Sequence, residues 1–125
     1  MKKVDYLIIG GGIAGTTAAE VIRDRDQQSS ISIISDEPHP LYSRILVSKP
    51  HFVLGKLAFD KVFLKTPAWY DQHHITLLSR KKVLSINTTH RTVTCHDETT
   101  ILYKKLLIAI GGIPKTLNVP GASEE

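Results

Sequence analysis

The sequence predicts an α/β fold: a parallel sheet opened by a βαβ unit, with an antiparallel three-stranded meander added to it. Three observations predict it. "YLIIGGGIAGTTAAE" breaks an apolar run with three consecutive glycines and resumes as an alanine-rich segment of helical spacing. A second apolar run, "ISIIS", closes the unit within the first 35 residues. Further on, "VLSIN", "RTVTCH" and "ILY" are short β-like runs separated by polar turns.

Taken in order, Val4 to Ile9 is a short strand, buried on both faces by its Leu7-Ile8-Ile9 run. Beyond Gly12, the residues Ala14, Thr17, Ala18, Val21 and Ile22 recur at helical spacing until "RDRDQQSS" ends the helix. Ile31 to Ser35 is the second strand, parallel to the first through a right-handed crossover. The stretch "PHPLYSRILVSKPHFVLGK" is irregular, with a short helix from Arg44 to Lys49. "TPAWYDQHH" reads as a helix with Thr66 as N-cap and Pro67 at its first position. "ITLL" is a strand, the meander follows, and "LLIAIGG", Leu106 to Gly112, is a separate, fully buried strand with a glycine exit.

With 125 residues the chain holds one modest domain, and it is too short for two of ordinary size. Its 42% apolar and 22% charged residues describe an ordinary globular protein. The net charge of +4 is spread along the chain, without the arginine-rich helix or aromatic-basic interleaving of a nucleic-acid surface. No apolar stretch reaches membrane-spanning length, the start lacks a secretory cleavage site, and Cys95 is a lone cysteine; the expected location is cytoplasmic.

The glycines carry the chemistry. A diphosphate held at a helix N-terminus needs free backbone N–H groups and no Cβ in the way. In Gly10-x-Gly12-x-x-Gly15, the first glycine makes a tight turn, the second lets the backbone approach the pyrophosphate, and the third lets the helix pack on the strand. Ile13 and Ala14 open that helix between them. Asp36 lies 21 positions after Gly15 at the end of the next strand, where a carboxylate can accept from a ribose diol; Glu37 is an alternative for that role. An acidic group there repels a 2′-phosphate, so the pattern favours FAD or NAD over NADP. A nicotinamide domain usually continues with further βα units, whereas here a meander follows.

The stretches "IIGGGIAGTTAAE", "DEPHPLYSRILVSK", "TPAWYDQHHITLL", "KKVLSIN" and "LYKKLLIAIGGIPKTLNVPG" resemble, in order and over nearly the whole chain, the FAD-dependent pyridine nucleotide oxidoreductases. The similar branch contains the large subunit of assimilatory nitrite reductase, rubredoxin and ferredoxin reductases, and apoptosis-inducing factor; "YSRILVS" leans toward the nitrite-reductase-like members. The resemblance implies a Rossmann-like FAD-binding domain, a three-layer ββα sandwich. It implies that Gly10, Gly12 and Gly15 hold the FAD pyrophosphate and Asp36 the adenosine ribose. Arg44 and Lys49 match the basic pair of "Y-x-R-x-x-x-S-K" beside the flavin and its phosphates. Arg offers a bidentate fork to phosphate, and Lys49, the one implied catalytic residue, can stabilise an anionic reduced flavin. Val83 matches a position whose backbone meets the adenine, and Ala109, Ile110 and Gly111 match an "A-T-G" motif from which Ile110 departs by lacking the hydroxyl.

The implied activity is hydride transfer from NAD(P)H to FAD, with electrons passed on to a separate acceptor, a protein or a partner subunit. The nicotinamide and C-terminal interface domains that this needs are not expected within these residues. Residues 1–125 therefore read as the N-terminal part of an FAD-binding domain, inactive alone and incomplete, the linker beginning at "VPGASEE". An incomplete sheet leaves an open edge that invites a second copy or a partner chain. The alternative is a non-catalytic interaction module, or a subunit whose site is completed by a partner. No C-x4-C pair follows the first helix, so disulfide chemistry is not expected, and His73-His74 lack partners at metal-ligand spacing. Trp69 and Tyr70 are expected to be packing residues.

Overall fold

The computed structural model describes residues 1–121. Its strands are β1 (Lys2–Ile9), β2 (Ile31–Ile34), β3 (Ile75–Leu78), β4 (Val83–Asn87), β5 (Thr92–Cys95) and β6 (Thr100–Ile108). Its helices are α1 (Ile13–Arg25), α2 (Arg44–Val47), α3 (Pro50–Val53) and α4 (Pro67–Gln72), with a 3₁₀ turn at Phe59–Val62. The strands form one sheet in the order β3-β2-β1-β6-β5-β4. β1, β2, β3 and β6 run parallel, while β5 adds antiparallel to the first residues of β6 and β4 antiparallel to β5.

The apolar run of β1 feeds two cores because its side chains alternate between faces. Ile8 packs with Ile31, Ile33, Ala19, Tyr70 and Ile75 beneath α1 and α4. Leu7 and Ile9 share the other core with Ile34, Ile101, Val93 and Cys95. Val93 and Cys95 belong to β5, two places from β1 in the sheet order, so the meander folds back over that face. The result is helices, parallel sheet and meander in three layers, a Rossmann-like α/β architecture.

α1 is fixed to α4 by a cation. The guanidinium of Arg23 is buried and donates to the carbonyls of His73 (2.8 Å), His74 (2.9 Å) and Asp26 (2.9 Å). It thereby neutralises the carbonyl-rich end of α4. α4 begins as expected, with the Thr66 hydroxyl accepting from the Trp69 N–H and Pro67 at the first position.

The structure corrects the sequence reading in three places. "ILY" and "LLIAIGG" are not separate strands: β6 runs through the Lys104-Lys105 pair that lies between them. The pair is accommodated by β1, since Lys104 Nζ lies 2.6 Å from Asp5 Oδ1 and Lys105 Nζ sits 5.2 Å from the Tyr6 ring centroid. Nor is the second half of β6 fully buried, with Leu107 40% and Ile108 55% exposed. β5 pairs only with Thr100–Leu102, so among the described residues the far edge of Lys104–Ile108 has no partner strand. Finally, the helix expected from Arg44 to Lys49 stops at Val47, and Lys49 instead caps α3, where Pro50 sets the start of a new helix. The expected linker at "VPGASEE" lies largely outside the described residues.

Candidate functional site

The chain leaves β1 toward β2 on one side and returns through β6 on the other, so a crevice opens beyond the carboxyl ends of these strands. Its wall is built by the glycines. Gly10 sits at φ +116°, and a Cβ there would overlap the Ala109 carbonyl at the end of β6. Ala109 N–H donates to the Ile9 carbonyl at 2.7 Å and Gly10 N–H to the Ile34 carbonyl at 2.8 Å, so the turn is stitched to both neighbours. A Cβ on Gly15 would overlap the Gly10 carbonyl, which is how closely α1 approaches the loop. Gly12 differs: a Cβ there would meet nothing within 4 Å. The absence of a side chain at Gly12 is therefore not a packing requirement; it leaves open space at the entrance of α1.

That entrance is electropositive. Gly12 is the N-cap and supplies no side-chain cap, and no acidic residue lies in the first turn of α1. The first N–H groups of a 13-residue helix are thus left for an external acceptor. The crevice in front of them has a volume of 510 Å3. Its lining brings together Gly10, Gly12, Ile13, Ala14, Asp36, Glu37, Arg44, Val83, Ala109, Ile110 and Gly111. Gly15 lies beneath it, buried in the helix–strand contact. Lys49 is not part of the lining and is exposed.

The charges around the crevice are already partly committed. Arg44 Nη2 meets Glu37 Oε1 at 2.7 Å. Lys81 Nζ donates to the Asp97 carboxylate and, at 3.3 Å, to the Thr99 hydroxyl. Hydrogen bonds to Asp97 from Lys81 and then from Thr99 hold its carboxyl down at about 2. Asp36 is exposed and has no hydrogen-bond partner for its carboxylate among the described residues. The Arg80–Lys82 turn is pinned to the end of β2 through Arg80 N–H to the Glu37 carbonyl (3.1 Å) and Lys81 N–H to the Ser35 carbonyl (2.9 Å). This delivers Val83 to the crevice.

Sequence reasoning missed several lining residues. Lys81 and Lys82 read as part of a dispersed charge run, because only the long-range bond to Ser35 reveals where they lie. Gly11 was an unassigned position of the motif, yet a Cβ there would come within 2.9 Å of Ser35 Cβ. The run of three glycines was its visible signal. A buried relay also escaped notice: Thr16 Oγ1 donates to the Gly11 carbonyl (3.2 Å), lies 3.5 Å from the Tyr70 hydroxyl, and that oxygen accepts from Leu41 N–H (3.2 Å).

A family model described as pyridine nucleotide-disulphide oxidoreductase matches residues 4–125. The chain belongs to that family. Among its relatives is an assimilatory nitrate reductase electron transfer subunit of Bacillus subtilis (strain 168), 36% identical over 126 residues, an alignment covering 100% of this chain and 16% of that protein. The crystal structure of NADH:rubredoxin oxidoreductase from Clostridium acetobutylicum superimposes with a TM-score of 0.85 at 28% identity, covering 95% of this chain and 30% of the other. The reductase structure solved as a covalent putidaredoxin reductase–putidaredoxin complex gives 0.86 at 27% identity, covering 97% and 29%. The chain thus spans less than a third of each.

Members of this pyridine nucleotide-disulphide oxidoreductase family bind FAD and use NAD(P)H. In the present member the lone Cys95 is buried in the meander core, and burial followed by the nearby Asp97 carboxylate pushes its thiol pKa up. Its side chain packs with Leu7, Ile9 and Ile34 in that core and does not itself line the crevice. His73 stacks on Trp69 with ring centroids 4.3 Å apart. No helix among the described residues is long and apolar enough to cross a membrane.

Proposed function

We propose that the chain is the FAD-binding part of an NAD(P)H-dependent flavoprotein oxidoreductase that passes electrons from NAD(P)H through the flavin to a separate acceptor. The observation that carries the reading is the open space at Gly12, at the uncapped N-terminus of α1, between glycines that packing alone explains. A pyrophosphate needs that combination: unpaired N–H donors, a positive helix end and no intervening Cβ.

The residues fit the dinucleotide in parts. Gly10, Gly12, Ile13 and Ala14 offer backbone to the pyrophosphate, and Gly15 keeps α1 close enough to present it. Asp36, with its carboxylate uncommitted, accepts from the adenosine ribose, and Val83 borders the adenine end. Ala109, Ile110 and Gly111 border the opposite wall. Arg44 brings positive charge toward the phosphates. Lys49 lies outside the crevice lining, and its assignment to the flavin rests on the family pattern alone. When bound, FAD accepts hydride and releases electrons; the chain's own residues hold, orient and shield it. An acceptor protein is supported by the relative solved with putidaredoxin bound to it.

A second reading is favoured by β6. Its outer edge, unpaired among the described residues from Lys104 to Ile108, and the exposed Leu107 and Ile108 suit a strand from elsewhere, either downstream residues of the same protein, a partner subunit or a second copy. Electron transfer in this reading belongs to the completed assembly. The test of the main reading is the visible spectrum of the purified chain after incubation with FAD and desalting. Retained flavin bands are expected; a colourless protein both alone and together with the downstream region of its relatives overturns the assignment.

A further inference from the structure

The geometry points to Glu37 as a positioning residue that aims Arg44 at the diphosphate, with the ribose left to Asp36 alone. The inference rests on the FAD reading above and assigns two adjacent carboxylates to different tasks. Sequence alone left Asp36 and Glu37 as alternatives for one task.

Five contacts carry it. Glu37 Oε1 accepts from Arg44 Nη2 at 2.7 Å and from the Tyr42 hydroxyl at 3.4 Å. The Arg44 guanidinium also lies over the Tyr42 ring, 5.4 Å from its centroid. The Glu37 backbone is pinned at both ends, its N–H to Ser35 Oγ (3.3 Å) and its carbonyl to Arg80 N–H (3.1 Å). The carboxylate is therefore a fixed point and the arginine the mobile partner; the Glu37 side chain is 32% exposed and that of Arg44 66%. A long exposed arginine loses several rotamers on binding phosphate, and a partner that holds it beforehand removes part of that cost. One guanidinium nitrogen bonded to Glu37 leaves further N–H donors of the planar fork available to an anion. By contrast, Glu37 already spends one oxygen on two donors, whereas the Asp36 carboxylate has none among the described residues.

The test is a double-mutant cycle on FAD affinity, read by flavin fluorescence in wild type, Glu37→Gln, Arg44→Met and the double variant, with Asp36→Asn and Glu37→Asp alongside. Glu37→Gln is expected to weaken FAD roughly tenfold and to add almost nothing once Arg44 is gone. Glu37→Asp recovers part of the loss. Asp36→Asn weakens binding to the same extent with or without Arg44. A Glu37→Gln loss that persists undiminished in the Arg44→Met background overturns the assignment and returns Glu37 to the ribose. Absence of FAD binding by the wild type, both alone and together with the downstream region of its relatives, overturns the cofactor reading itself, a result separable from either pattern.

Discussion

At the residue scale, the three motif glycines divide into two kinds. Gly10 and Gly15 are required by contacts within the protein, and Gly12 is required by none. Gly15→Ala is accordingly expected to cost about 3 kcal/mol, because its methyl must displace the Gly10 carbonyl; a urea melt measures it. Gly12→Val should stay within about 1 kcal/mol of wild type in the same melt, since its side chain enters open space. Equal losses for the two variants would contradict the division. This much was legible in the sequence, because each glycine's role follows from the strand–turn–helix context. Which of Asp36 and Glu37 meets a ribose was not legible, because the answer depends on Arg44, at the start of α2, folding back to Glu37 across the loop between them.

At the scale of elements, most strands and helices were visible because their signals are local: apolar runs, a Thr66-Pro67 helix start, polar turns. β6 was misread because its explanation is not local. Lys104-Lys105 breaks an apolar pattern only until Asp5 and Tyr6 of β1 are placed opposite. Similarly, nothing in "VIRDRD" announces that Arg23 is buried to cap α4. Arg23→Met should lower stability by about 2 kcal/mol, measured by denaturant titration, because the carbonyls of His73, His74 and Asp26 lose their shared donor. A second expectation concerns acid. The Lys81 hydrogen bond, followed by that of Thr99, depresses the Asp97 carboxyl from 3.8 to about 2 in the folded chain. A depressed folded value means that the unfolded chain binds the proton more tightly. The contribution is therefore complete above pH 3.8 and lost as pH falls through about 2. Asp5, held low mainly by Lys104 and Ser30, adds in the same direction. Asp97→Asn should flatten the fall in melting temperature across this window; an unchanged acid profile would exclude the Lys81–Asp97 pair as a contributor.

At the scale of the whole molecule, the layers bring the proposed cofactor residues, Gly15 and Lys49 excepted, onto the lining of one crevice. β1 is central, so the loops leaving β1, β2 and β6 all open at the same end of the sheet. Two strands away, the meander closes one core and turns Val83 toward that crevice. The same layering leaves the outer edge of Lys104–Ile108 in β6 without a partner strand among the described residues, a feature hidden from the sequence because Leu106 to Ile110 is as apolar as any buried strand. The central claim is that this crevice binds FAD through the opening at Gly12. Its most direct test is a fluorescence titration of FAD into wild type and Gly12→Val, with thermal melts of both. The account predicts saturable binding by wild type and a loss of at least about tenfold in Gly12→Val at a nearly unchanged melting temperature. Equal FAD affinity in two equally folded proteins would contradict it.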